Sequence, residues 1–126
     1  MRNISFSMTT EAVRRREKTV TRRLGWWDLQ PGTLLRAVEK AQGLQKGEHV
    51  KPICVIRVVN VSQEPLDEIC DPRWNPLHYP DETAREGFPT LTAYEFADMF
   101  ASANHCAYYE IVNRIEFEYV EEFSDA

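Results

Sequence analysis

Little in this chain would build a disulfide framework, a metal centre or a membrane span. Its 126 residues hold three cysteines, Cys54, Cys70 and Cys106. The number is odd and no two form a C-x-x-C pair, so neither a disulfide scaffold nor a thiolate zinc site is expected. The histidines, His49, His78 and His105, show no H-x-x-x-H or H-E-x-x-H spacing, so no metal and no cofactor are expected. His105 and Cys106 are neighbours in sequence, but adjacent side chains rarely face each other. The uncharged apolar runs fall far short of the roughly 20 residues a membrane helix needs. Met1, Arg2, Asn3, Ile4, Ser5 and Phe6 offer no apolar core for a signal peptide. A cytoplasmic protein without a membrane partner is therefore expected. Three nucleotide and hydrolase signatures are missing as well: the phosphate loop G-x-x-x-x-G-K-S/T, the fingerprint G-x-G-x-x-G and the elbow G-x-S-x-G.

What is present suits one globular domain over residues 1–126. Hydrophobic residues make up 43% and charged residues 28%, which is ordinary for a chain that folds. The net charge of −5 is unevenly spread. Residues 1–23 carry seven Lys or Arg against two Glu, a balance of +5, and the remainder balances at −10. The whole molecule does not steer toward nucleic acid. A local basic face could still hold a phosphate or a short single strand, although Arg14, Arg15 and Arg16 fit a solvated helix face equally well.

The apolar pattern gives a mixture of elements. A short strand is expected over 4–7 and a helix over 11–17 capped by Thr10. Strands follow at 19–21 and 33–38, then the strongest one at 53–61, where Cys54 reads as a small buried hydrophobe. A helical turn is expected at 65–69 and an irregular connection at 71–80, which holds three prolines. Asp81 can cap a short helix through Arg85 that Gly87 stops. Thr92 and Glu95 fit a capping box, and Phe96, Met99 and Phe100 form the apolar stripe of the helix that follows. From Ile115 the alternation is clean, with Ile115, Phe117 and Tyr119 on one face and Glu116 and Glu118 on the other. The expected class is α+β. Strands do not alternate regularly with crossover helices, so a small curled sheet or partly closed barrel is favoured.

The densest chemistry lies at 18–23, where Lys18, Thr19, Val20, Thr21, Arg22 and Arg23 put one amine, two hydroxyls and two guanidinium groups into six residues. Arginine suits bidentate recognition of phosphate or carboxylate. A sheltered lysine can act as a base toward a neighbouring hydroxyl. Trp26 and Trp27 lie just beyond and could stack on a base. Thr19, Arg22, Arg23, Trp26 and Trp27 are thus candidates for substrate binding. A sheet edge with its basic residues in water and its tryptophans in the core fits the same composition. On a regular strand Lys18 and Thr21 point to opposite faces, so they converge only if Lys18 precedes the strand or sits at a bulge.

These residues resemble the ASCH family, a branch of the PUA-like fold, and within it phage and prophage ASCH-like proteins most of all. The resemblance is carried by the K-T-x-T-x-R pattern at 18–23, by Pro31, Gly32, Thr33, Leu34 and Leu35, and by residues 55–61. It continues through Glu86, Gly87, Phe88 and Pro89, the helix with Phe96 and Phe100, and Asn113, Arg114, Ile115, Glu116 and Phe117. It implies a small barrel of five to six mixed strands with two to three short helices. The implied cleft lies around 18–23 and Glu86 and takes RNA or a modified nucleoside. One branch is similar to an amidohydrolase that removes the acetyl group of N4-acetylcytidine. It implies Lys18 as base, Thr21 as nucleophile and Glu86, on the following helix, as proton donor or transition-state stabiliser. Arg23 would then contact the base or a phosphate. The chain is longer than that branch at 24–29 and 71–80, which is expected to remodel the pocket mouth. Ribonuclease activity, or a non-catalytic interaction protein anchored by Trp26, Trp27 and Trp74, are the alternatives.

Overall fold

The computed structural model describes residues 1–71 and 81–121. The irregular connection expected at 71–80 lies outside the described residues beyond Asp71, and so do Trp74 and His78. Five strands are described: β1 (Arg2–Ser5), β2 (Val20–Arg23), β3 (Leu34–Val38), β4 (Pro52–Pro65) and β5 (Ile111–Tyr119). The helices are α1 (Thr10–Arg14), α2 (Glu82–Arg85) and α3 (Ala93–Asn104), with a 3-10 turn at Leu66–Cys70.

The strands form one sheet in the order β1-β3-β4-β5-β2. β1 pairs parallel with β3 and every other pairing is antiparallel. The sheet curls into a half-barrel whose open edges are β1 and β2. Side chains bridge that gap where backbone pairing stops. Arg23 Nη2 donates to the Ser5 carbonyl at 2.5 Å. Arg2 lies 4.2 Å from the Trp26 ring centroid and reaches Asp28 at 3.2 Å.

One core fills the inside of the curl, with Ile4, Leu35, Ile56, Val58, Ile115 and Phe117 among its members. A second core lies on the other face, where Leu66, Ile69 and Val112 meet Phe96, Ala97 and Phe100 of α3. The first turn of α3 carries the expected capping box, with both the Thr92 and the Glu95 bonds formed.

β4 changes faces partway along. Its register with β5 slips between Val58 and Asn60, and a bulge inverts the alternation beyond that point. Val58 pairs with Phe117 and Val61 with Ile115, so both stay on the inner face. Glu64 pairs with Val112 and therefore faces the helices. Without the bulge, Glu64 would share the inner face with Ile56 and Val58.

α1 is shorter than the helix expected over 11–17. Arg16 takes a left-handed conformation (φ 60°), and the amides of Glu17 and Lys18 both turn back to the Ala12 carbonyl. The Thr10 hydroxyl, expected as the cap, donates instead to the Phe6 carbonyl at 2.8 Å. The reversal points residue 18 back toward α2. Asp81 stands at the N-terminus of α2 as expected, but its side chain makes no capping bond.

Candidate functional site

Lys18 precedes β2, so the alternation of the strand does not fix its direction. The backbone of Lys18 and Thr19 is held at three points. The Tyr119 hydroxyl donates to the Lys18 carbonyl at 2.6 Å, the Thr19 amide donates to Arg85 O at 2.8 Å, and the Phe117 amide donates to Thr19 O at 2.9 Å. The Lys18 amine is thereby brought to the C-terminal end of α2. It donates to the Glu86 carbonyl and lies 3.2 Å from Glu86 Oε1, with both side chains buried.

Gly87 sets the approach of α2 to α1. It has φ +95°, and a Cβ there would stand 3.0 Å from Thr9 Cγ2 and 3.3 Å from Ala12 Cβ. A residue with a side chain would push Glu86 away from Lys18.

Arg22 is fully buried and reaches three carboxylates. Its Nη1 donates to Glu86 Oε2 at 2.8 Å, and its Nη2 lies 2.7 Å from Glu82 Oε2 and 3.2 Å from Glu64 Oε2. Arg114, beside it on β5, forks onto Glu82 through Nε at 2.7 Å and Nη2 at 3.1 Å. Lys18, Arg22 and Arg114 thus stand against Glu64, Glu82 and Glu86 in one buried network, and Arg114 Nη1 lies 3.6 Å from Glu116 Oε1 at its edge. Arg22 Nε alone among that residue's nitrogens is left without a partner.

The network moves the titrations of its members. Burial disfavours the Lys18 ammonium and the nearby Arg23 and Arg22 charges add to this; Glu86 opposes but does not win, so Lys18 sits below its ordinary 10.5. Burial works against the Arg22 charge too, but Glu86, Glu82 and Glu64 together raise it above its ordinary range. Burial pushes Glu64 upward against the pull of Arg22. Glu82 is lowered, because the hydrogen bonds from Arg114 and the charge of Arg22 outweigh its burial.

Thr21 and Arg23 lie on the opposite side of β2 from Arg22. Thr21 is buried, and its hydroxyl oxygen accepts from Arg23 Nε at 3.0 Å. A cavity of about 660 Å³ opens in the gap between the edge strands. Because it lies at a sheet edge, it is reached from both faces, and Lys18, Thr21, Arg22, Arg23, Trp26 and Glu86 all line it. The structure therefore brings Lys18, Thr21 and Glu86 to one cavity. Lys18 and Thr21 share no hydrogen bond in it. Thr19 and Trp27 are not in its lining; Thr19 serves through its backbone and Trp27 is half-exposed. Trp26, with φ 60°, packs against the inner core, and Asn113 Nδ2 donates to its carbonyl at 2.9 Å. The lining also holds aromatic and thioether side chains, including Phe6, Phe88, Phe96 and Met99, beside polar ones such as Asn3, Ser5, Lys40 and Gln42.

Glu82, Glu64 and Arg114 were not expected as site residues. Glu82 was read as part of a short helix, Glu64 lay beyond the strand expected at 53–61, and Arg114 was read as part of a closing strand and of the family resemblance. The sequence carries no signal for them: the need for carboxylates follows from Arg22 and Arg114 standing side by side, which only the β2–β5 register shows.

No protein-family model matches the chain, and no curated protein matches it in sequence. Solved structures do match it in shape. An ASCH domain from Lactobacillus crispatus superposes with a TM-score of 0.55 at 16% identity, over 94% of this chain and 79% of that one. A DUF984 protein from Enterococcus faecalis superposes with a TM-score of 0.60 at 14% identity, over 100% of this chain and 84% of that one. The fold is that of an ASCH domain. Among the described residues no helix is long and apolar enough to cross a membrane, and no group of three His, Cys, Asp or Glu side chains is placed to hold a metal ion.

Proposed function

We propose that the cavity binds a modified nucleoside, free or within RNA, and hydrolyses an acyl group from its base. One observation carries this reading: a buried lysine of depressed basicity, its carboxylate partner at 3.2 Å and a threonine hydroxyl all line one cavity. The cavity volume of about 660 Å³ falls in the range of small-molecule sites, and its aromatic walls suit a base.

In this reading Thr21 Oγ attacks the acyl carbon while its proton passes to Lys18 Nζ, whose uncharged form burial favours. The carbon–nitrogen bond then breaks, and the departing amine of the base takes that proton from Lys18. Water adds to the Thr21 ester with Lys18 again as base, releasing the carboxylic acid and restoring the hydroxyl. A hydroxyl accepts two hydrogen bonds and donates one. Arg23 occupies an acceptor site of Thr21 and leaves its proton to be given elsewhere. Glu86 accepts from both Lys18 and Arg22, which suits it to orient the lysine more than to donate a proton.

A binding module without turnover is the second reading. It is favoured by the Lys18 amine being held on Glu86 and not on Thr21. The test is chromatographic turnover of N4-acetylcytidine and related acylated nucleosides by the wild type, Lys18→Ala and Thr21→Ala. Turnover lost in both variants, with binding retained in Thr21→Ala, supports the hydrolase. Absence of turnover with every substrate rejects that reaction and leaves the binding module.

A further inference from the structure

The flank of α3 turned away from the cavity is built unlike the rest of the surface. Met99 and Ala103 line the cavity, whereas Tyr94 and Asp98 share a stripe on the other side of the helix. The Tyr108 hydroxyl donates to Asp98, the Asp67 amide to the Tyr108 carbonyl at 2.9 Å, and the Leu66 amide to the Glu110 carbonyl at 2.9 Å. α3, the 3-10 turn and residues 105–111 therefore make one continuous face. Its rings stand in water: Tyr109 is 77% exposed, Tyr94 69% and Tyr108 50%, with Ile111 at 46% beside them. Such rings bury a large area at little entropic cost, and tyrosine is enriched where proteins meet.

The charge of this face is of one sign. Residues 62–71 and 91–112 hold no Lys or Arg. Asp67, Glu68, Glu95, Asp98 and Glu110 make no ion pair among the described residues. Elsewhere the exposed carboxylates Glu11, Asp28, Glu118 and Glu121 each meet an arginine. An unbalanced acidic field gathers cations and repels phosphate. Among the described residues no three of these groups are placed to hold a metal ion. A Lys or Arg side chain of another protein satisfies both features at once, with its charge over a tyrosine ring and its hydrogens on a carboxylate. A second copy of this chain offers less, because Arg14, Arg15 and Arg16 already meet Glu39, Glu17 and Glu121 of their own chain.

We propose that this face docks a basic, Lys- and Arg-bearing segment of another protein, with Tyr94, Tyr108 and Tyr109 as its anchors. The docking stands apart from the chemistry of the cavity, since none of these side chains lines it.

The test is calorimetric titration of the full chain with two short peptides, one alternating arginine with serine and the other glutamate with serine. At low salt the arginine peptide should bind and the glutamate peptide should not. Tyr109→Ser should weaken the arginine peptide at least about tenfold. Glu110→Gln should weaken it more than Glu118→Gln, which removes the same charge from another face. All three side chains are exposed, so the variants keep the fold. Saturable shifts of the Tyr94, Tyr108 and Tyr109 ring resonances locate the peptide on this face. Equal weakening by the two glutamine variants, with Tyr109→Ser unchanged, reports net charge alone and overturns the proposal, as does the absence of binding by the arginine peptide. Sedimentation of the chain by itself covers the remaining occupant: self-association that Tyr109→Ser abolishes assigns the face to a second copy and overturns the basic partner.

Discussion

Replacing Glu82 by glutamine tests the buried network most directly. The carboxylate is 1% exposed and accepts from Arg114 Nε at 2.7 Å, from Arg114 Nη2 at 3.1 Å and from Arg22 Nη2 at 2.7 Å. Glutamine keeps the shape and one acceptor oxygen but leaves the network one negative charge short. Breaking a buried pair from one side costs about 3–5 kcal/mol. Because glutamine retains one oxygen, the lower end, about 3 kcal/mol, is expected. At a urea dependence of about 1.5 kcal/mol per molar, that moves the unfolding midpoint down by about 2 M. The control is Glu118→Gln, which removes an ion pair with Arg57 at 2.8 Å between side chains about half exposed. It should cost no more than about 0.5 kcal/mol. The folded-state value of Glu82 is lowered, so its contribution is fully present above the unfolded value near 4.5 and is lost as pH falls through the folded value. The difference between wild type and Glu82→Gln should therefore shrink below pH 4.5. A midpoint shift equal to that of Glu118→Gln would refute the claim that these charges depend on one another.

Three further outcomes follow from the same geometry. Gly87→Ala should destabilise by about 1–3 kcal/mol, read by urea unfolding, because its Cβ meets Thr9 and Ala12; Gly43→Ala, also at positive φ but with no atom within 4 Å, should cost about 1 kcal/mol. Lys18 has a lowered folded-state value, so stability should rise with pH between that value and 10.5; Lys18→Met should lack this rise in pH-dependent denaturation. Tyr119→Phe removes the bond to the Lys18 carbonyl and should cost about 1 kcal/mol by thermal melting; any hydrolase activity should fall with kcat and not with KM.

Much of the framework could be read from residue pattern because it obeys local rules. The alternation at Ile115, Phe117 and Tyr119 does mark the inner face of β5. The capping box at Thr92 and Glu95 does open α3. β4 was expected to end at 61 and runs on to Pro65, because residues past the bulge are held by backbone pairing with β5 and not by their own hydrophobicity. α1 was expected to run to 17 on helix propensity and ends at Arg14, because the tertiary position of Lys18 demands a reversal that no local rule announces.

The candidate site divides along the same line. Lys18, Thr21 and Glu86 were named from a pattern in sequence, and the fold brings them to one cavity because Lys18 stands before its strand and the cavity lies at a sheet edge. Arg22 was named for its chemistry alone, and its charge is taken up by Glu64, Glu82 and Glu86. Charged residues read from sequence are assigned to water by default, since burial of a charge needs partners that sequence does not pair. Here the partners come from β4 and from α2 and its C-terminal end, and the one from β4 faces the right way only because a bulge inverts the strand. The consequence for the cavity is electrostatic. Arg22 and Arg114 are met by buried carboxylates, so the fields left to reach into the cavity are those of the Lys18–Glu86 pair, of Arg23 and of Lys40. In the proposed reaction Glu86 orients the Lys18 amine, while Arg23 holds the Thr21 hydroxyl oxygen from the other side.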